Sequence, residues 1–258
     1  MGEQKKAIIK LERCDTVETD AFHRGVFRKK LLAGEIEGLD TCYTELSGNG
    51  KTSFQTEENR LRILLFTKGS GEIRYEDSAY NIDEIALFVP QIDGEFHLTS
   101  GSGNLGFLEM VISLGVKDRK YLEMRESLLP YYVGYSQCKT YSEAIKSQKT
   151  VNRTLLPEEI LPRLCIGSVM TSGPDKVAAH AHPMLEQLFF GLQENDIEVL
   201  ADNANIRFME GDLLHIPSGS LHGATVEAGK ELHYIWIDLF NTLEDIDYIK
   251  QYHIQKEP

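Results

Sequence analysis

The chain lacks most of the features that would place it in a specialised class. Its four cysteines, Cys14, Cys42, Cys138 and Cys165, are scattered without paired spacing. That excludes a cysteine-built zinc site, and reduced thiols in a cytoplasm are expected. No apolar run approaches the roughly 20 residues needed to cross a bilayer. No charged-then-apolar leader is present, and Lys6 stands where a myristoylation signal needs Ser or Thr. Basic charge is also scarce: 27 Lys and Arg against 40 Asp and Glu give a net charge of −13. Nucleic acid and anionic membrane would repel such a chain, so neither is expected as a partner. The short run Arg24, Arg28, Lys29, Lys30 reads as a solvated surface patch.

What remains is an ordinary soluble balance of 41% hydrophobic and 26% charged residues, in 258 residues. That length holds one large β domain or two barrels of usual size. Short strand-like runs recur between turn signals. Thr41–Leu46 alternates and meets the Ser47–Gly50 turn, while Leu61–Thr67 reads as a buried strand closed by Lys68–Gly71. Ile85–Pro90 and Phe107–Ser113 continue the meander. The apolar positions Tyr121, Leu122, Met124, Leu128 and Leu129 predict a short helix in a connector. Thr242, followed by acidic residues, predicts a C-terminal helix with Leu243, Ile246 and Ile249 on its apolar side.

One stretch carries chemistry. His180 and His182 stand two apart, a spacing that aims both at one point if the segment is a strand. A turn after Pro183 would return Glu186 on the adjoining strand, and His222 follows a turn built on Pro217 and Gly219. Three imidazoles and a carboxylate suit a divalent transition metal: Fe, Mn, Ni or Co with open positions, or Zn.

These residues resemble the paired motifs of the cupin superfamily. His180, His182 and Glu186 match the first motif, whose later glycine is replaced by Gln193. Gly211, Pro217, Gly219 and His222 match the second, with Val226 in place of its final Asn. The resemblance implies an all-β, jelly-roll barrel with the metal in its mouth. The first half repeats the same order of elements, so tandem barrels are expected: residues 1–115 as a degenerate barrel and 116–159 as connector. Residues 160–240 would be the metal-bearing barrel and 241–258 a helical tail. In the first half Gln55, Glu57 and His97 are a poor ligand set, and a structural role is expected there.

The second barrel is also similar to the metal-bearing half of keto-deoxyuronate isomerase-type bicupins, and the two-barrel plan to ureidoglycine aminohydrolase. The first likeness implies a metal-dependent isomerase of sugar acids or keto sugars. The other readings are an Fe(II) dioxygenase-type cupin and a non-catalytic protein binding a small molecule. Candidate acid–base residues are Glu186, His215, His233 and Tyr234. Leu188 and Phe190, sharing the face of Glu186, would form an apolar collar at the metal. Exposed barrel edges and the apolar tail predict a homodimer.

Overall fold

The structure, a computed structural model, describes residues 9–14, 23–92 and 94–246. It is all-β and divides into two compact units. The first covers Cys14–Cys138 and takes in Glu159–Pro162. The second covers Lys139–Glu158 and the chain from Arg163 on, together with the N-terminal segment ending at Arg13.

Each unit is a pair of antiparallel sheets. In the first, a six-stranded sheet runs in the order Tyr131–Gly134, Ala86–Val89, Arg60–Lys68, Leu105–Ser113, Leu39–Leu46, Val26–Leu31. The four-stranded sheet of the same unit runs Lys51–Gln55, Glu95–Ser100, Gly71–Tyr75, Ser78–Ile82. In the second unit a seven-stranded sheet runs Lys10–Arg13, Asp212–Ile216, Leu185–Gly191, Glu231–Phe240, Leu164–Ser172, Val151–Leu161, Lys139–Tyr141. Its four-stranded sheet runs Asp175–His180, His222–Val226, Asp196–Ala201, Ala204–Met209. Position by position the two units share one strand order, which makes them copies of one jelly-roll barrel.

The N-terminal strand departs from the division expected from sequence. Lys10–Arg13 pairs with Asp212–His215 in the second barrel, the place that Tyr131–Gly134 fills in the first. Arg13 fixes it there, its Nε 2.8 Å from Oδ1 of the fully buried Asp212. Asp212 Oδ2 also accepts the Met209 N–H at 2.8 Å. A buried carboxylate needs such partners, so strand pairing and charge neutralisation act together.

The burial pattern explains the sheets. Every residue from Leu105 to Ile112 is buried, as a central strand covered on both faces requires. Glu95–Ser100 alternates, with Phe96, Leu98 and Ser100 buried and Glu95 and His97 exposed. The connector holds the helix Val116–Glu123, followed by a single 3₁₀ turn over Glu126–Leu128. Leu122 is its buried apolar residue, whereas Met124 and Leu128 lie exposed. Of the expected C-terminal helix only the beginning is described: Thr242 N–H and Oγ1–H both donate to Asp245 Oδ2 at 2.8 Å. Ile246 packs against Cys165, Met184, Leu185 and Phe240, while Ile249 and the rest of the tail lie outside the described residues.

The first barrel's interior is filled. Phe54, Phe66, Tyr75, Phe88, Phe96 and Phe107 pack with Leu64, Ile73 and Leu98 into one buried cluster. Phe54 and Phe96 face each other across neighbouring strands and stack at 5.0 Å. Gln55, Glu57 and His97 are all exposed, away from that interior.

Candidate metal centre

Where the first barrel stacks Phe54 on Phe96, the corresponding strands of the second barrel pair His180 with His222. Two-residue alternation does not produce this pairing. Val177 faces Ala224 and His180 faces His222, so Ala178 and Ala179 together oppose the single residue Gly223. That two-against-one count is a β-bulge, which reverses the parity of the strand and turns His180 inward. Gly223 permits it: a Cβ there would lie 2.9 Å from the Val177 carbonyl oxygen and 3.2 Å from Ala179. The strand then ends at His180, so His182 reaches the site from the following turn and not by strand alternation.

Local bonds hold that turn. The Gly219 N–H donates to the His182 carbonyl at 2.9 Å, and Ser218 Oγ–H donates to the Pro183 carbonyl at 2.9 Å. Ser220 N–H closes onto the Pro217 carbonyl at 3.0 Å, with Gly219 at φ +79°. This is the left-handed third position of a type II turn, which glycine occupies without strain. The two halves of the motif, distant in sequence, are therefore stitched turn to turn.

The outcome is a cluster of three histidines. Ring centroids of His180 and His222 lie 4.4 Å apart, of His180 and His182 4.9 Å, and of His182 and His222 5.4 Å. One ring nitrogen from each can be chosen so that all three lie within 4.8 Å of one another. His182 and His222 are buried and His180 is half-buried. His180 Nδ1 lies 2.8 Å from the Ala178 carbonyl, and His222 Nδ1 lies 3.0 Å from the Ser220 carbonyl. A carbonyl can only accept, so both Nδ1 atoms carry a proton, and in the neutral ring the lone pair is then on Nε2. Neutral imidazoles preset by a carbonyl partner are what a metal requires, so the donor set fits a divalent transition ion. Among the described residues this is the one such cluster.

Glu186 is not a member of it. The strand Leu185–Gly191 turns Phe189 inward, where its ring stands 5.9 Å from His222 and 4.7 Å from Tyr234. By alternation Glu186, Leu188 and Phe190 take the opposite face. Glu186 Oε2 there lies 2.8 Å from His215 Nε2 and accepts the Ser218 N–H at 3.1 Å. His215 belongs to that same outer face, since Leu214 and Ile216 point into the barrel. The expected collar of Leu188 and Phe190 is therefore replaced by Phe189. Of the four candidate acid–base residues, Tyr234 alone faces the interior. His233 alternates outward on Glu231–Phe240, and burial pushes its pKa down.

Two interior residues, and a carboxylate whose charge reaches Tyr234, escaped the sequence reading. Gln187, with Phe189, faces inward and donates from Nε2 to Asp238 Oδ1 at 2.6 Å. Asp238 shares the inward face with Leu232 and Tyr234. Glu143 pairs with Lys146 at 2.5 Å, both nearly buried, and the intervening Ile145 carbonyl accepts the Ala178 N–H at 3.0 Å. Tyr234 has its pKa driven up, first by burial and then by the charges of Glu143 and Asp238. Alternation cannot find Gln187 or Asp238, because both faces of each strand carry apolar neighbours.

No protein-family model matches the chain, and no curated protein sequence matches it. Solved structures do. An IolB-like protein from Salmonella typhimurium superposes with a TM-score of 0.68 at 14% identity, over 90% of this chain and 92% of that one. The oxalate decarboxylase of Lactobacillus farciminis, in a formate complex, gives 0.66 at 10% identity, over 85% and 82%. A cupin 2 conserved barrel domain protein from Leptotrichia buccalis gives 0.59 at 14%, over 91% and 100%. The fold is thus that of the cupins.

Proposed function

We propose that the second barrel binds a divalent transition metal through His180, His182 and His222. The chain is then a metal-dependent enzyme on a small oxygen-rich metabolite, of the sugar-acid or keto-sugar isomerising type. The observation that carries this reading is the pair of preset tautomers. With Nδ1 of His180 and of His222 each turned to a carbonyl, Nε2 is the nitrogen each ring keeps for an ion, in a cluster where one ring nitrogen from each of three histidines lies within 4.8 Å of the others. Histidines that merely filled polar space would gain nothing from that arrangement.

A bound ion would supply the polarisation of a carbonyl, which acidifies the neighbouring C–H. The remaining work falls to the barrel's own side chains. Isomerisation consumes no second substrate; it needs one group to accept a proton and one to donate. Asp238 is the inward carboxylate, held by Gln187, and is suited to accept. Tyr234 is fully buried with a raised pKa, so it remains a neutral phenol at physiological pH and can donate a hydrogen bond to a developing oxyanion. Phe189, between Tyr234 and His222, excludes water and strengthens electrostatics in the cavity. Glu186, His215 and His233, being on outer faces, take no part in this proton path.

The test is elemental analysis of protein purified without added metal, followed by a screen of uronates and keto sugars read by NMR for isomer formation. Near-stoichiometric metal that disappears in His180→Ala, with turnover of one substrate, supports the reading. A metal-free wild-type protein that also takes up none on dialysis refutes it.

A further inference from the structure

Gln187 is the polar side chain on the inner face of its strand, between Leu185 and Phe189, and it is 6% exposed. Its Nε2 lies 2.6 Å from Asp238 Oδ1. An ionised carboxylate can only accept, so the amide must present its NH2 to Asp238 and its oxygen the other way. That oxygen, Oε1, is buried and makes no hydrogen bond. An amide oxygen in that condition is destabilising unless something else meets it, and such atoms in a native interior call for an explanation.

Its surroundings point to the histidines. Gln187 follows His182 through the Pro183–Met184 turn and two strand residues, Leu185 and Glu186. Across the sheet it pairs with Ile216, whose strand leads through Pro217–Ser220 to His222. The two connecting segments are bonded together at Gly219 and His182. Two residues further along the same face, Phe189 touches the His222 ring.

We propose that Gln187 Oε1 is the fourth protein donor to the cation held by His180, His182 and His222, with Asp238 as the positioning residue that fixes its amide. This rests on the reading of the histidine cluster as a metal site. An amide oxygen and three imidazoles are all neutral, so none of the ion's charge is cancelled by a direct ligand. The compensating charge sits one group away, on Asp238, where it also polarises the amide and makes its oxygen a better donor. Such a set, without thiolate, suits Fe(II), Mn(II), Co(II), Ni(II) or Zn(II).

The experiment loads metal-free protein with Co(II) and reads affinity by chelator competition and coordination by visible absorption. Gln187→Leu keeps the bulk and removes the donor; it should weaken Co(II) binding by about tenfold or more and change the spectrum. The double variant Gln187→Glu with Asp238→Asn exchanges acceptor for donor across the same contact and keeps an oxygen for the ion. It should bind Co(II) at least as tightly as wild type, with the altered spectrum of a carboxylate ligand, and it decides the matter should the leucine variant fail to fold. Wild-type affinity and spectrum in either variant overturn the assignment of Gln187 while leaving the histidine site standing. No Co(II) uptake by the wild-type protein overturns both.

Discussion

Replacing His222 by alanine separates a metal site from a polar core most directly. His222 is 3% exposed, its ring lies 4.4 Å from that of His180 and 5.4 Å from that of His182, and its tautomer is preset. An ion bound only by the folded state stabilises it by about 2.7 kcal/mol at a hundredfold excess over Kd. Losing the partner of a ligand weakens binding by roughly 10- to 100-fold, and loss of a ligand itself belongs at the upper end. At that metal concentration His222→Ala would then sit near its own Kd and gain only about 0.4 kcal/mol. The difference of about 2.3 kcal/mol corresponds to roughly 5–9 °C in the melting temperature of a protein this size. The assay is a thermal melt of each protein with metal and with chelator. The chelator sample removes the packing cost of the substitution from the comparison. Glu57→Ala, exposed in the first barrel, should keep the full metal-induced shift. An equal shift in His222→Ala and wild type would refute the reasoning.

Gly167→Ala should destabilise the second barrel by about 1–3 kcal/mol, because the added Cβ would meet Trp236 at 2.2 Å and the Arg153 carbonyl oxygen at 2.5 Å; denaturant titration checks it. Phe96→Ala removes a fully buried ring between Phe54 at 5.0 Å and Phe88 at 5.3 Å. It should cost about 3–5 kcal/mol in the first barrel while Co(II) affinity is unchanged, and a loss of affinity would show that the first barrel is not a purely structural copy. For Asp175, burial pushes the pKa up, but hydrogen bonds from Thr171, Ser147 and the Lys176 N–H, with Lys149 nearby, hold it below the usual value. Its stabilisation is present above the unfolded carboxylate range near pH 4 and is lost as pH falls through the folded value, so Asp175→Asn should flatten the acid limb of a stability–pH curve. His233 is lowered by burial; its contribution is present above the unfolded value near 6.5 and is lost as pH falls through the lower folded one. His233→Gln should therefore lose less stability than wild type between about pH 6.5 and 5, by urea titration at each pH.

The all-β class, the repeat of a barrel and the three histidines were legible in residue order alone. Alternating runs broken by Gly, Asn and Pro turns specify strands locally, and a motif with Pro217 and Gly219 specifies its own turn. For the first half, the poor ligand set of Gln55, Glu57 and His97 led to the expectation of a structural role. The structure adds that phenyl rings fill the space, with Phe54 and Phe96 where His180 and His222 stand.

Which face looks inward could not be read from the chain. Glu186 and Gln187 are neighbours on a strand buried on both sides, and hydrophobicity is the same at 188, 189 and 190. The choice was made by the opposing sheet, whose Ile197, Val199, Phe208 and Ala224 receive Phe189 and with it Gln187's face. The bulge at Ala178 and Ala179 is likewise a tertiary decision, because it needs Gly223 on another strand to make room. Residue types set what the site can bind. Register and bulge, fixed by contacts between residues far apart in sequence, set which of those residues meet.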